Sequence, residues 1–367
     1  MTHALPDLLR SAGAFVVVLG VLVFVHELGH YLAARWRGVK VDAFSIGFGR
    51  PIVTRTDRRG TLWKVSWIPL GGYVKLHGQE RPEDASEAVR AAWVPGQTFH
   101  EKSVGSRAIV VAAGPAANFL LAIVLFAFLF AVIGHPVTLP VVQTVLPSSA
   151  AATAGLRAGD HIDAVDGQRI ADFQALQKVV ETNPGTRLVL TLTRAGKTLT
   201  VPVVIGTHTV DGHRAGLLGV AGGLLAYRPM TLPAAIGAGV RETWVVTAKT
   251  AQGVSQMIAG TRGTKDLGGP LRIAQLSGQV AELGLPSLLS FIAVLSVNIG
   301  LINLFPIPVL DGGHLLFYLF EAVRGRPLPA RAQEYGFRAG LALLAGLFVF
   351  ATWNDLSHLG LFHWLAG

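Results

Sequence analysis

Three side chains near the start of the chain have the types and spacing that metal-assisted hydrolysis requires. In His26-Glu27-Leu28-Gly29-His30 the two histidines stand four residues apart. On a helix they lie on one face and can offer two imidazoles to a single ion. Glu27 then sits beside the ion's water, where it can accept a proton and later pass it to a leaving amine. A catalytic zinc takes three protein ligands and keeps its fourth position for water, whose pKa it brings towards neutrality. The chain has no cysteine, so any metal is bound by nitrogen and oxygen, and the redox compartment is not readable.

A third ligand is found in the stretch Asn298-Ile299-Gly300-Leu301-Ile302-Asn303-Leu304-Phe305-Pro306-Ile307-Pro308-Val309-Leu310-Asp311-Gly312-Gly313. Asp311 is the candidate. The prolines and glycines let the backbone unwind there, which a membrane tolerates only where protein or water covers the freed polar groups. Taken alone, Asp311 reads as the N-cap of a helix beginning near Gly313; beside the first motif, the ligand reading is preferred. His314 reads as a helix-start or supporting group rather than a fourth ligand. Asn118, with Gly114 and Ala116, reads equally as tight helix packing or as support for the ligands. His100, His135, His358 and His363 sit at apparent span edges and are assigned no chemistry.

The elements that must position these groups are set by a bilayer. Over 367 residues the chain is 51% hydrophobic and 14% charged, with a mean hydropathy of +0.49, which excludes an ordinary soluble protein. Stretches 12–34, 109–133 and 336–353 are long and apolar enough to span. A fourth, 288–305, runs into Pro306 and Pro308 and should break there. The net charge of +9 has no basic run with interleaved aromatics, so nucleic acid is not indicated. Residues 35–107 hold 13 Lys/Arg against 7 Asp/Glu, and 321–338 hold 4 against 2. Both segments are therefore cytoplasmic by the positive-inside rule, with the N- and C-termini outside. The first span carries His26 and Glu27 within it and lacks a strongly basic leader, so it reads as an uncleaved span and not a signal peptide. From Ala12 to His26 the helix rises about 21 Å, which puts the site nearer the cytoplasmic face.

Between the spans the composition changes. Residues 39–76 mix β-formers with Gly47, Gly49, Gly60, Gly71 and Gly72, as strands and turns do, and 81–96 reads as a solvated loop. From 139 to 204 the pattern is short strands at 141–146, 187–194 and 198–204 with an amphipathic helix near 172–181. Ala154-Gly155-Leu156-Arg157-Ala158-Gly159-Asp160, then Ile162, Val165-Asp166-Gly167 and Ile170, resembles the PDZ domains of bacterial envelope proteases, which bind extended peptides at a sheet edge. Further on, 244–258 has helical spacing suited to an outer-surface amphipathic helix, and 260–270 reads as a loop. The expected fold class is a polytopic α-helical membrane protein of about four transmembrane helices with an inserted PDZ-like α+β domain. Its parts are a first transmembrane helix (1–34), a cytoplasmic β region (35–107), a second helix (108–134), an extracytoplasmic PDZ-like domain (135–208), and a linker with an amphipathic helix (209–287). A third transmembrane segment (288–320), a cytoplasmic loop (321–335) and a fourth helix with its tail (336–367) follow.

Together the His26–His30 motif, Phe44-Ser45-Ile46-Gly47-Phe48-Gly49, Ile68-Pro69-Leu70-Gly71-Gly72-Tyr73-Val74-Lys75, Ala113-Gly114-Pro115 with Asn118, the PDZ-like segment and the stretch from Asn303 to Gly313 resemble the site-2 protease family of intramembrane metalloproteases. Within it they are most similar to the bacterial regulator of sigma-E protease branch. The resemblance covers nearly the whole chain. It implies Zn2+ held by His26, His30 and Asp311, Glu27 as catalytic base, and Asn298 and Asn303 as substrate-positioning residues. It implies that the glycine-rich strands form a membrane re-entrant β-hairpin. It also implies single-pass transmembrane substrates, such as an anti-sigma factor already cut once or a signal peptide remnant, and residence in the bacterial inner membrane. Better-known members of this branch carry two PDZ domains, whereas one is visible here. The rival readings are a non-catalytic PDZ adaptor, which an intact Glu27 opposes, and a metal transporter, which would spread its ligands along several spans.

Overall fold

The computed structural model describes residues 4–80, 85–210, 213–261, 263 and 268–358. His363, the side chain of His358 and parts of the loops expected at 81–96 and 260–270 lie outside the described residues. In chain order the elements are α1 (Ala4–Trp36), β1 (Val41–Thr56), β2 (Leu62–Leu76), α2 (Glu87–Ala91), α3 (Val104–Val132), β3 (His135–Val145), α4 (Ala150–Thr153), β4 (His161–Val165), β5 (Gln168–Arg169), α5 (Phe173–Glu181), β6 (Arg187–Arg194), β7 (Lys197–Val204), β8 (Gly206–Val210), β9 (His213–Leu217), β10 (Val220–Arg228), α6 (Leu232–Ile258), α7 (Pro270–Glu282), α8 (Leu285–Asn303), α9 (Asp311–Arg324) and α10 (Ala330–His358). They fall into two compact units, Met1–Leu129 with Pro233–Gly367, and Phe130–Leu232.

Among the described residues, the first unit has four helices long and apolar enough to cross a membrane, at Leu9–Trp36, Val104–Val132, Leu285–Asn303 and Ala330–Ser357. In lipid, helices associate through close packing, which small residues permit. Gly29 of α1 is such a point, since a Cβ there would run into the Ala113 carbonyl of α3 and the methyl of Ala117. Gly300 of α8 similarly fits against Phe119 and the Pro115 carbonyl. Val18, Leu22 and Ile292 join α1 to α8 in a buried cluster. Alongside α1 runs α7, tied by an Arg10–Glu282 ion pair.

The break expected after residue 305 begins slightly earlier. Pro306 and Pro308 have no N–H to continue a helix, so α8 ends at Asn303. The chain folds through short bonds, from Ile307 N–H to the Phe305 carbonyl (2.7 Å) and from Leu310 N–H to the Ile307 carbonyl (2.8 Å). Gly312 and Gly313 then press their backbones against the Leu304 and Ile307 carbonyls. The stretch 288–320 is thus two helices, α8 and α9, and because α10 starts at Ala330 the loop following α9 is shorter than 321–335.

The strands β1 and β2 form a curled sheet. The first half of β1 lies between two arms of β2: Phe44 is opposite both Val74 and Trp63, and Ile46 opposite both Gly72 and Val65. The second half of β1 returns along the first arm, with Val53 opposite Val65 and Thr56 opposite Leu62. Gly47 makes the reversal possible. Its φ is +84°, and a Cβ would come within 2.9 Å of the Ile68 and Ser66 carbonyls. Phe44, stacked on Trp63, anchors this sheet to Tyr31, Val39 and Val110 in a buried cluster.

The second unit is a sheet ordered β10-β3-β4-β6-β7, with β5 on β4 and a separate β8–β9 hairpin. Alternate residues of β6 (Leu188, Leu190, Leu192) enter a core with Ile162, Leu176, Val180 and Ile205, as a half-buried strand requires. Asp172 caps α5, accepting from Ala175 N–H at 2.8 Å. The unit runs on past residue 208 because β10 pairs with β3 along its length, from Val220 opposite Val145 to Arg228 opposite His135. Without β10, β3 would be left as an open edge.

Candidate metal centre

Helix α1 presents His26 and His30 one turn apart, and the turn before α9 delivers Asp311 to the same point. His26 Nε2 is 3.2 Å from His30 Nε2 and 3.2 Å from Asp311 Oδ2. His30 Nε2 is 3.5 Å from the same oxygen. A zinc ion with ligand bonds of about 2.0–2.1 Å in a tetrahedron needs ligand atoms about 3.3 Å apart. Among the described residues, these three form the one cluster of metal-ligand type.

Hydrogen bonding shows which atoms carry protons. His30 Nδ1 is 2.9 Å from the Val110 carbonyl. A carbonyl only accepts, so Nδ1 donates and Nε2 is left with a bare lone pair. Asp311 Oδ2 is buried and, among the described residues, receives no hydrogen bond. Asp311 is also not a helix cap: α9 begins at Asp311, Leu310 is the N-cap, and no side chain caps the end. A buried carboxylate oxygen facing the His30 lone pair is unfavourable unless a cation lies between them, so the residues fit a divalent metal.

Glu27 lines the same cavity of about 950 Å³, with Gly72, Tyr73, Val74, Asn303, Asp311 and His314 also in its wall. Gly72 gives Glu27 room, since a Cβ there would lie 3.2 Å from Glu27 Cγ and 2.6 Å from the Ser45 carbonyl. At the far side of the cavity Arg107 pairs with Glu321 at 2.6 Å and lies over the Tyr318 ring, joining α3 to α9.

Of the two asparagines, Asn303 reaches the cavity and Asn298 does not. Five residues along a helix is about 140° past one full turn, so the pair cannot share a face. The Asn298 side-chain oxygen instead accepts from Thr250 Oγ1–H of α6 at 2.8 Å. His100 bonds the Gly78 carbonyl, and His135 packs on Phe130. Three contributors were not picked out in advance: Val110, Thr250 and the Arg107–Glu321 pair. For Val110 there was a signal, since Val110, Gly114 and Asn118 repeat the four-residue spacing of the histidines.

The match with known proteins extends over nearly the whole chain. The model of Peptidase family M50 matches residues 14–347. A protein of Agrobacterium fabrum named as a zinc metalloprotease is 46% identical over 94% of this chain and 95% of its own length. Another of that name from Rhizobium meliloti is 43% identical over 98% of this chain and 100% of its own. The regulator of sigma-E protease RseP of Salmonella typhimurium is 32% identical over 96% of this chain and 100% of its own. The chain belongs to peptidase family M50, the site-2 proteases, and is a membrane metalloprotease.

Proposed function

We propose that this enzyme hydrolyses peptide bonds within the transmembrane segments of single-pass membrane proteins, with zinc held by His26, His30 and Asp311. The observation that carries this reading is the spacing of three ligand atoms at 3.2–3.5 Å beside a glutamate in one cavity.

When bound, zinc supplies a Lewis acid that acidifies water and polarises the scissile carbonyl. Glu27, in the cavity wall with His26 and His30, accepts the proton of the attacking water and delivers it to the departing amine. Asn303 contacts the substrate from the cavity wall. Asn298 shares that positioning role by family resemblance, once its bond to Thr250 opens.

A transmembrane helix hides its peptide groups, so it must be extended before attack. Residues 72–76 pair on one side with 41–46 and line the cavity through Gly72, Tyr73, Val74 and Leu76. In this reading β1 and β2 are the re-entrant hairpin, and an unwound substrate adds to that edge. The second unit is a single PDZ-like domain on the outer side of a bacterial inner membrane, and the metal lies near the cytoplasmic face. By resemblance to the regulator of sigma-E protease branch, its substrates are an anti-sigma factor after a first cut and signal peptide remnants; a relative bearing that branch's name supports this reading.

The test uses the purified full-length protein in detergent with a reporter transmembrane substrate. Glu27→Gln is expected to keep zinc and fold but abolish cleavage, while His26→Ala and Asp311→Ala lose zinc as well. Cleavage persisting in Glu27→Gln would sink the mechanism.

A further inference from the structure

The two imidazoles of α1 are held from the side by one stripe of α3. Val110, Gly114 and Asn118 stand four residues apart, so they share a helix face with the same period as His26 and His30. Val110 offers its carbonyl to His30 Nδ1. Gly114 leaves the space, since a Cβ there would collide with both imidazole rings. Asn118 reaches His26 Nδ1 at 3.2 Å. It is 0% exposed, and its backbone carbonyl is fixed by Ser296 Oγ–H of α8 at 2.8 Å.

The orientation of the Asn118 amide decides what it does. With Nδ2 turned to His26, Oδ1 is buried without a partner among the described residues. Nδ1 of His26 would then be an acceptor, and the neutral ring would carry its proton on Nε2. That nitrogen points at His30 Nε2 and Asp311 Oδ2, where the ligand reading requires a lone pair. Oxygen and nitrogen of a side-chain amide exchange places by a half-turn and are told apart by their partners. With Oδ1 turned to His26, the side-chain oxygen accepts from the ring and Nε2 is left bare, as in His30, while Nδ2 takes the place that has no partner among the described residues.

We infer that Asn118 is a positioning residue whose side-chain oxygen accepts the Nδ1 proton of His26 and so fixes the tautomer and ring orientation that present Nε2 to the metal. The Val110 carbonyl does the same for His30. This rests on the reading of His26 and His30 as zinc ligands. Outer partners of this kind raise metal affinity by 10–100-fold.

The experiment measures zinc affinity of the full-length protein in detergent by chelator competition, with zinc alone as probe. Asn118→Leu keeps the shape and removes the acceptor. Asn118→Asp can only accept when ionised. The expected result is a 10–100-fold loss of zinc affinity in Asn118→Leu and wild-type affinity in Asn118→Asp. Wild-type affinity in Asn118→Leu overturns the inference. So does a loss in Asn118→Asp, which decides the matter even where the leucine variant fails to fold. His26→Ala separates the two levels. If it keeps zinc, the ligand assignment itself falls, and if it loses zinc while Asn118→Leu does not, only the role of Asn118 falls.

Discussion

The hydroxyl of Thr250 donates to Oδ1 of Asn298 at 2.8 Å, joining α6 to α8 close to the turn that carries Asp311. One neutral hydrogen bond contributes about 1 kcal/mol. Thr250→Val should therefore loosen the second half of α6, seen as faster amide exchange over 243–258, while zinc content stays at the wild-type level. Loss of zinc in this variant would show that Asn298 is coupled to the metal and not merely tied to α6.

At the contact between α1 and α3, Gly114→Ala places a methyl group against both imidazoles. Alanine favours a helix more than glycine does, by roughly 1 kcal/mol, so the fold should survive. The rings must move, and zinc affinity is expected to fall about tenfold or more. Chelator titration reads this directly, and an unchanged affinity would mean that the rings have slack not visible in the structure.

Arg107 and Glu321 are both largely buried, and their charges face each other at 2.6 Å. Removing one partner strands the other, at a cost of about 3–5 kcal/mol, whereas replacing both with apolar residues of similar volume is often neutral. Glu321→Leu alone should lower the melting temperature sharply, and Arg107→Met with Glu321→Leu should restore most of it. Equal losses in the single and double variants would assign the pair a role other than mutual neutralisation.

In the sheet unit, Asp160 is fully buried. Burial alone would raise its pKa, but hydrogen bonds from Arg194 at 2.7 Å and the Arg157 amide at 2.8 Å outweigh it and hold the pKa below the usual value. The folded pKa is thus depressed. The stability it contributes is fully present above the unfolded value of about 3.9 and is lost as pH falls through the folded pKa. Exchange protection in β4 and β6 should hold at pH 5 in the wild type and fail only under stronger acid. With Arg194→Leu, burial is no longer offset, and protection should fail at a higher pH. The same acid profile in both proteins would contradict this.

What could be read from the sequence depended on how local the cause was. The helical pair His26 and His30 and the proline-broken turn before Asp311 are set by neighbours in sequence, and the alternation of Leu188, Leu190 and Leu192 gave β6 its bounds. The pairing of β10 with β3 joins segments some 80 residues apart and leaves no periodic mark, so the strand that extends the sheet beyond 208 has no local signature in the sequence. The Val110 carbonyl has no side-chain signature. Thr250 and Asn298 are ordinary polar residues until the helices carrying them meet.

The fold also sets a time of completion for the site. His26 and His30 leave the ribosome 285 and 281 residues before Asp311, and at roughly 5–20 residues per second the interval is on the order of 15–60 s. During that time two imidazoles are in place without their carboxylate. A proteolytic centre that needs Asp311, as proposed, remains inert while the three spans that precede this residue are threaded into the bilayer, so those spans are not exposed to it as they emerge.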